Sequence, residues 1–105
     1  MSVTDTLAEA SFNHPLTVVD FRADWCGPCR TMDPIVDALH AELPEIRVIT
    51  VDVDTETELA ALYNVQSIPT FVLLRDGNML DRLTGAVPAE RFRAFVSAQL
   101  PVVAS

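Results

Sequence analysis

The chain has 105 residues, half of them hydrophobic and 21% charged, with seven prolines and only three glycines. A chain this short buries about two-thirds of its unfolded surface, so one domain over residues 1–105 is expected, and its apolar content excludes intrinsic disorder. Fifteen acidic and seven basic residues, every basic one an Arg, give a net charge of −8. That field repels phosphate backbones and excludes a general nucleic-acid binder, which needs clustered cations.

In chain order, residues 4–12 read as a first helix, with Thr6 and Glu9 spaced as a capping box. Residues 16–21 are an apolar run broken only by Thr17 and Asp20, the pattern of a buried strand. Met32, Ile35, Val36, Leu39 and Leu43 then recur at i, i+3, i+4, i+7 and i+11, the stripe of an amphipathic helix running from the cysteines to Leu43. Pro34 lies inside it and removes the bond to the Arg30 carbonyl, which predicts a kink. Residues 46–53 read as a second buried strand. Thr55 and Glu58 are spaced to cap a short helix with Leu59, Leu62 and Tyr63 on one side. Strands over residues 71–74 and 79–83 flank Asp76-Gly77, a hairpin signal because Gly takes positive φ without steric cost. Pro88 opens a last helix in its first turn, Phe92, Phe95, Val96 and Leu100 form its buried stripe, and Pro101 stops it. A leading helix followed by β-α-β-α-β-β-α predicts an α/β domain with helices covering a central sheet.

Both cysteines lie in Trp25-Cys26-Gly27-Pro28-Cys29, between a strand end and a helix start. Three readings compete. A structural staple is weak here, because closing a four-residue loop constrains the unfolded chain by only about 2 kcal/mol, against nearly 5 for a loop of about 100 residues. A zinc site needs two more ligands; the chain offers only His14 and His40, neither at finger-like spacing, so both read as surface groups and no metal is expected. A redox pair needs nothing further, since two thiols spaced by two residues close a disulfide reversibly. The redox reading is preferred, with the dithiol itself in place of any other cofactor.

Position assigns the roles. Cys26 falls at the first turn of its helix, where free N–H groups and the helix dipole stabilise a thiolate, and is the expected nucleophile. Cys29, one turn further in, is the expected resolving thiol, which attacks Cys26 in the mixed disulfide. Gly27 lets the turn close tightly, and Pro28 deletes an N–H that the first turn leaves unpaired.

Asp20-Phe21 and Ala23-Asp24-Trp25-Cys26-Gly27-Pro28-Cys29-Arg30, with Pro34 five residues on, resemble the active-site segment of the thioredoxin family. Ile68-Pro69-Thr70 resembles the family's cis-proline loop, and Asp76-Gly77 and Gly85-Ala86 fit its pattern. The likeness extends from about Val3 to Leu100. It implies the thioredoxin fold, a central mixed β-sheet flanked by helices, and protein-disulfide reduction as the activity. It further implies a thioredoxin reductase as electron donor and disulfide-containing proteins as substrates; a monomer is expected.

The same resemblance implies that Pro69 is cis beside the cysteines. Trp25, Gly27, Pro28, Ile68, Gly85 and Ala86 would form with it an apolar rim that meets substrate. Local readings exist for several: Trp25 as half-buried packing, Ile68 as core, Gly85 as a β-bulge. Asp20 is implied to be buried behind Cys29 and to take its proton, where an Asp at a strand end is ordinarily solvated. The chain departs from the family twice. Arg22 stands where an aromatic residue is frequent, read either as a partly exposed Arg or as a cation paired with Asp24 or Asp54. Thr50 stands where a Lys often faces the buried acid, and cannot supply its charge.

Two other functions compete with the reductase. One is a thioredoxin-fold binding or subunit module that uses the apolar rim to hold a partner. The other is an oxidant outside the cytosol, which needs an export signal. The first 20 residues carry Asp5, Glu9 and Asp20 and no basic residue, so no signal is expected; no apolar run approaches the roughly 20 residues of a membrane span. A cytoplasmic chain with no membrane partner is therefore expected.

Overall fold

The computed structural model describes residues 3–101. Helix α1 (Val3–Ala10) leads into strand β1 (Thr17–Arg22), helix α2 (Gly27–Glu42) and strand β2 (Arg47–Asp52). Helix α3 (Thr57–Leu62), strands β3 (Thr70–Arg75) and β4 (Asn78–Thr84) and helix α4 (Ala89–Ser97) follow. The sheet order is β2-β1-β3-β4, with β1 parallel to β2 and antiparallel to β3, and β3 antiparallel to β4. This is the expected mixed sheet with helices on both faces.

Side-chain alternation along β1 and β3 divides the core in two. Val18, Phe71 and Leu73 face α2 and α4, packing against Met32, Val36, Leu39, Phe92 and Val96. Val19, Phe21, Val72 and Leu74 face the other way, against Leu7 of α1 and Leu59 of α3. Asp20 and Arg22 share the parity of Val18 on β1, which directs them toward α2. The hairpin between β3 and β4 closes on Asp76 (φ 49°) and Gly77 (φ 84°), both left-handed, as a two-residue turn of this twist requires. The buried Ser11 hydroxyl fastens that turn, accepting the Gly77 N–H at 2.6 Å and donating to the Ala8 carbonyl at 2.6 Å.

Several local expectations are corrected. The Thr6–Glu9 capping box is absent, because α1 is already helical at Val3 and Thr6 lies within it. Strand β2 is an edge strand in which only Val51 is fully buried, since among the described residues no further strand pairs with its outer side. Thr55 does not cap α3: Glu56 holds the cap position with no side-chain bond, and the Thr55 hydroxyl turns back to the Asp52 carbonyl at 3.3 Å. On α3, Leu59 is buried but Leu62 is exposed. Pro88 sits at the N-cap of α4 rather than inside its first turn. That helix ends at Ser97, where the chain tightens into i→i+3 bonds from Gln99 to Val96 and from Leu100 to Ser97, so Pro101 is not its stop. Leu100 still packs on the core from that turn. Helix α2 does hold Pro34 in its interior, as expected.

Candidate active site

Strand β1 delivers the chain to the head of α2. The Cys26 N–H bonds to the Ala23 carbonyl at 3.1 Å, and Cys26 takes an extended conformation (φ −85°, ψ 111°) as the N-cap. Its sulfur accepts the Cys29 N–H at 3.2 Å, doing for this helix what a Ser or Asp oxygen does elsewhere. Pro28 occupies the first turn, as expected, where its missing N–H leaves nothing unpaired. The Gly27 expectation is corrected: its φ is not left-handed, and an added Cβ would meet only the tip of Arg30 at 3.9 Å. Cys26 and Cys29 form a disulfide, with Cα atoms 5.2 Å apart. Both cysteines are buried, Cys26 at 5% and Cys29 at 1% exposure, but they are not equivalent: Cys26 lines an open groove and Cys29 does not.

The facing wall comes from the loop before β3. The Ile68–Pro69 bond is cis, and the Ile68 carbonyl oxygen lies 3.8 Å from the Cys26 sulfur. Pro69 is buried, and its carbonyl accepts the Gly85 N–H at 2.8 Å, with Gly85 left-handed at φ 98°. Two residues on, the Val87 N–H reaches the Met32 sulfur at 3.4 Å, so this loop is tied to both the proline and α2.

The groove has a volume of about 470 Å³. Of the predicted rim, Trp25, Gly27, Pro28 and Ile68 line it; Pro69, Gly85 and Ala86 do not. Gly85 reaches the site through its bond to Pro69, and the irregular register of the hairpin falls at Leu73/Leu74, not at Gly85. Val53, Val65, Gln66 and Ser67 complete the lining and escaped the sequence reading. For the last three, adjacency to Ile68-Pro69 was the available signal. Trp25 is 67% exposed, which removes the half-buried reading, and its indole N–H is anchored on Asp54 at 2.7 Å.

On the other side of β1 a polar cleft of about 370 Å³ opens between β1, α2 and β2, with Asp20, Arg22, Asp24, Asp33, Asp37 and Thr50 on its walls. Asp20 is 4% exposed, so it is not an ordinary solvated acid. Burial chiefly, then the Asp33 charge, raises its pKa to about 6; Arg22 acts in the opposite sense and Asp37 adds a smaller push upward. The paired reading of Arg22 holds for Asp24, and a second partner, Asp33, was not foreseen. The Arg22 side chain is only 15% exposed, and it grips Asp33 through Nε (3.0 Å) and Nη2 (2.9 Å) while Nη1 bonds Asp24 at 2.8 Å. Asp54 is not its partner. The Arg22–Asp33 pair went unread because Asp33 lies on the next helix, eleven residues on.

A cysteine at a helix N-terminus, across from a cis-proline and paired with a second cysteine one turn on, suits thiol–disulfide exchange. Among the described residues no group of three metal-ligating side chains forms. The profile of thioredoxin matches residues 3–98. The chain belongs to the thioredoxin family. It is 33% identical over 101 residues to thioredoxin from Bacillus subtilis, spanning 95% of this chain and 97% of that protein. To thioredoxin from Chlamydia trachomatis it is 44% identical over 70 residues, 67% of this chain and 69% of that one. The X-ray structure of Fasciola hepatica thioredoxin superposes with a TM-score of 0.82 at 42% identity, covering 90% of this chain and 89% of that one. This thioredoxin is thus a thiol–disulfide oxidoreductase, and Cys26–Cys29 is its redox-active disulfide. That sets aside a binding module without chemistry. Thioredoxins are the usual illustration of the rule linking Cys-x-x-Cys pairs to redox exchange.

Proposed function

We propose that this thioredoxin reduces protein disulfides with Cys26 as nucleophile, Cys29 as resolving thiol and Asp20 as proton acceptor. The observation that carries this is the asymmetry of the pair: Cys26 caps α2 on an open groove, and Cys29 is sealed behind it. The Cys26 thiolate attacks one sulfur of a substrate disulfide, forming a mixed disulfide and expelling the first substrate thiolate. The Cys29 thiol then gives its proton to the Asp20 carboxylate and attacks the Cys26 sulfur. The bond from Cys26 to substrate breaks, the second thiolate leaves and is protonated by solvent, and the enzyme ends as the Cys26–Cys29 disulfide. Two electrons have passed to the substrate. An acid with a pKa of about 6 is mostly ionised at neutral pH yet basic enough to take that proton, which supports its role.

The groove supports an extended substrate segment lying across Trp25, Gly27, Pro28 and Ile68 beside cis-Pro69, with Gly85 and Ala86 bordering it. A thioredoxin reductase returns the pair to the dithiol, and a pair that must be reduced each cycle suits a cytoplasmic setting. No metal or other cofactor takes part. A radius of gyration of 13.2 Å matches the roughly 13 Å of a single 100-residue domain, and a net charge of −8 keeps copies apart, in favour of a one-domain monomer. The test is insulin reduction coupled to dithiothreitol. The wild type should accelerate it, and the Cys26→Ser, Cys29→Ser double variant should not. Equal rates from both proteins would sink the assignment.

A further inference from the structure

The polar cleft between β1, α2 and β2 is lined by four carboxylates and a single cation. Strand β1 contributes Asp20 and Arg22, the following turn Asp24, and α2 Asp33 and Asp37; β2 lines the cleft with the uncharged Val48 and Thr50, its Asp52 lying opposite Arg22 outside that lining. Asp20 and Arg22 are two residues apart on one strand and so share a face, with about 7 Å between their Cα atoms. Left free, an Arg at a strand end extends into solvent. Here three donors of the guanidinium are committed, two in a fork on Asp33 and one on Asp24, and the side chain is 85% covered as a result. The clamp spans three segments of backbone: the end of β1, the turn before Cys26, and α2 one turn beyond Cys29.

We propose that Arg22, clamped by Asp33 and Asp24, is the fixed counter-cation of Asp20 in the resolving half-reaction. It is a positioning residue that touches neither sulfur. Its charge is permanent, since a guanidinium does not lose its proton in this range. Thr50 on β2 supplies no charge, and Arg22 partly offsets the Asp33 and Asp37 carboxylates that face Asp20 from α2. With the cation held there, Asp20 remains ionised at neutral pH and able to accept from Cys29; the same clamp ties the strand end to the helix that carries both cysteines. This inference rests on Asp20 as proton acceptor.

The test reads Asp20 directly. The Asp20 carboxyl carbon is titrated by NMR in the reduced wild type, Arg22→Gln and Arg22→Lys, and the rate of mixed-disulfide resolution is followed from pH 5 to 9 in each. Arg22→Gln should move the Asp20 midpoint up by about one pH unit, a shift of the size expected for a unit charge at this distance in a partly screened site. The acid limb of the resolution profile should move with it. Arg22→Lys, which returns the charge without the fork, should lie near the wild type in midpoint. A thermal melt separates structure from charge: if Arg22→Gln melts lower while the midpoint stays at the wild-type value, Arg22 is only a brace and the proposal fails. If the midpoint moves and the resolution profile does not, Arg22 is the counter-cation of Asp20, and it is the assignment of Asp20 as proton acceptor that falls.

Discussion

At the scale of single residues, chemistry here is a matter of what each side chain is denied. Cys29 is sealed in the core while Cys26, only 5% exposed, still lines the groove, so Cys29→Ser should accumulate substrate proteins as mixed disulfides on Cys26, whereas Cys26→Ser should trap almost none. Gel-shift analysis under non-reducing conditions reads this, and abundant complexes through Cys29 would reverse the roles. Asp20 is denied hydration, and its pKa rises from 3.8 to about 6. An acid raised on folding binds its proton more tightly in the native state, so its contribution to stability is favourable at low pH and is lost as pH climbs from about 4 to about 6. Asp20→Asn should therefore stabilise the protein at pH 7.5, by something on the order of 1–3 kcal/mol, and have little effect near pH 4. It should also slow insulin reduction. Thermal melts at the two pH values check the first claim; equal gains at both would show that packing, not ionisation, is responsible.

At the scale of elements, β3 separates two jobs. Its first residue, Thr70, follows the cis-proline, and its far end runs into the Asp76-Gly77 turn about 20 Å away. Gly77 has φ 84°, and an added Cβ would meet Ala8 at 3.5 Å, an ordinary contact, so the strain of Gly77→Ala is backbone strain of about 1–2 kcal/mol. Ser11→Ala removes the buried acceptor of the Gly77 N–H and should cost about 1–3 kcal/mol. Both variants should unfold at lower urea concentration and still reduce insulin at the wild-type rate when folded. A loss of activity without a loss of stability would mean that the hairpin communicates with the groove.

At the scale of the whole molecule, the charge of −8 is poorly neutralised. Among the described residues only Asp24, Asp33 and Glu42 meet a guanidinium, while Arg75 and Arg82 spend theirs on backbone carbonyls. Unpaired like charges repel in the compact state, and salt shortens their reach from about 10 Å at 0.1 M to about 3 Å at 1 M. The melting temperature should accordingly rise by a few degrees between 0.05 and 1 M NaCl. A fall over that range would mean that the three ion pairs outweigh the repulsion.

What the amino-acid order determined by itself is whatever depends on near neighbours. The stripe of α2, the buried apolar run of β1, the hairpin turn at Asp76-Gly77 and the placement of Cys26 at a helix start are all set within a few residues, and each was legible. The family motif extended that reach to cis-Pro69 and the burial of Asp20, which spacing alone does not reveal. The tertiary structure decided the rest. Strand β2 looked buried because Ile49 and Val51 are apolar, but burial depends on whether another strand pairs beyond it. Val65, Gln66 and Ser67 became a wall of the groove only when their loop met the head of α2. Arg22 found Asp33, and Trp25 found Asp54, across 11 and 29 residues of chain. A charged side chain carries no local sign of its partner, because an ion pair is specified by which surfaces the fold brings together, and those surfaces belong to elements that do not touch until the sheet and α2 have packed.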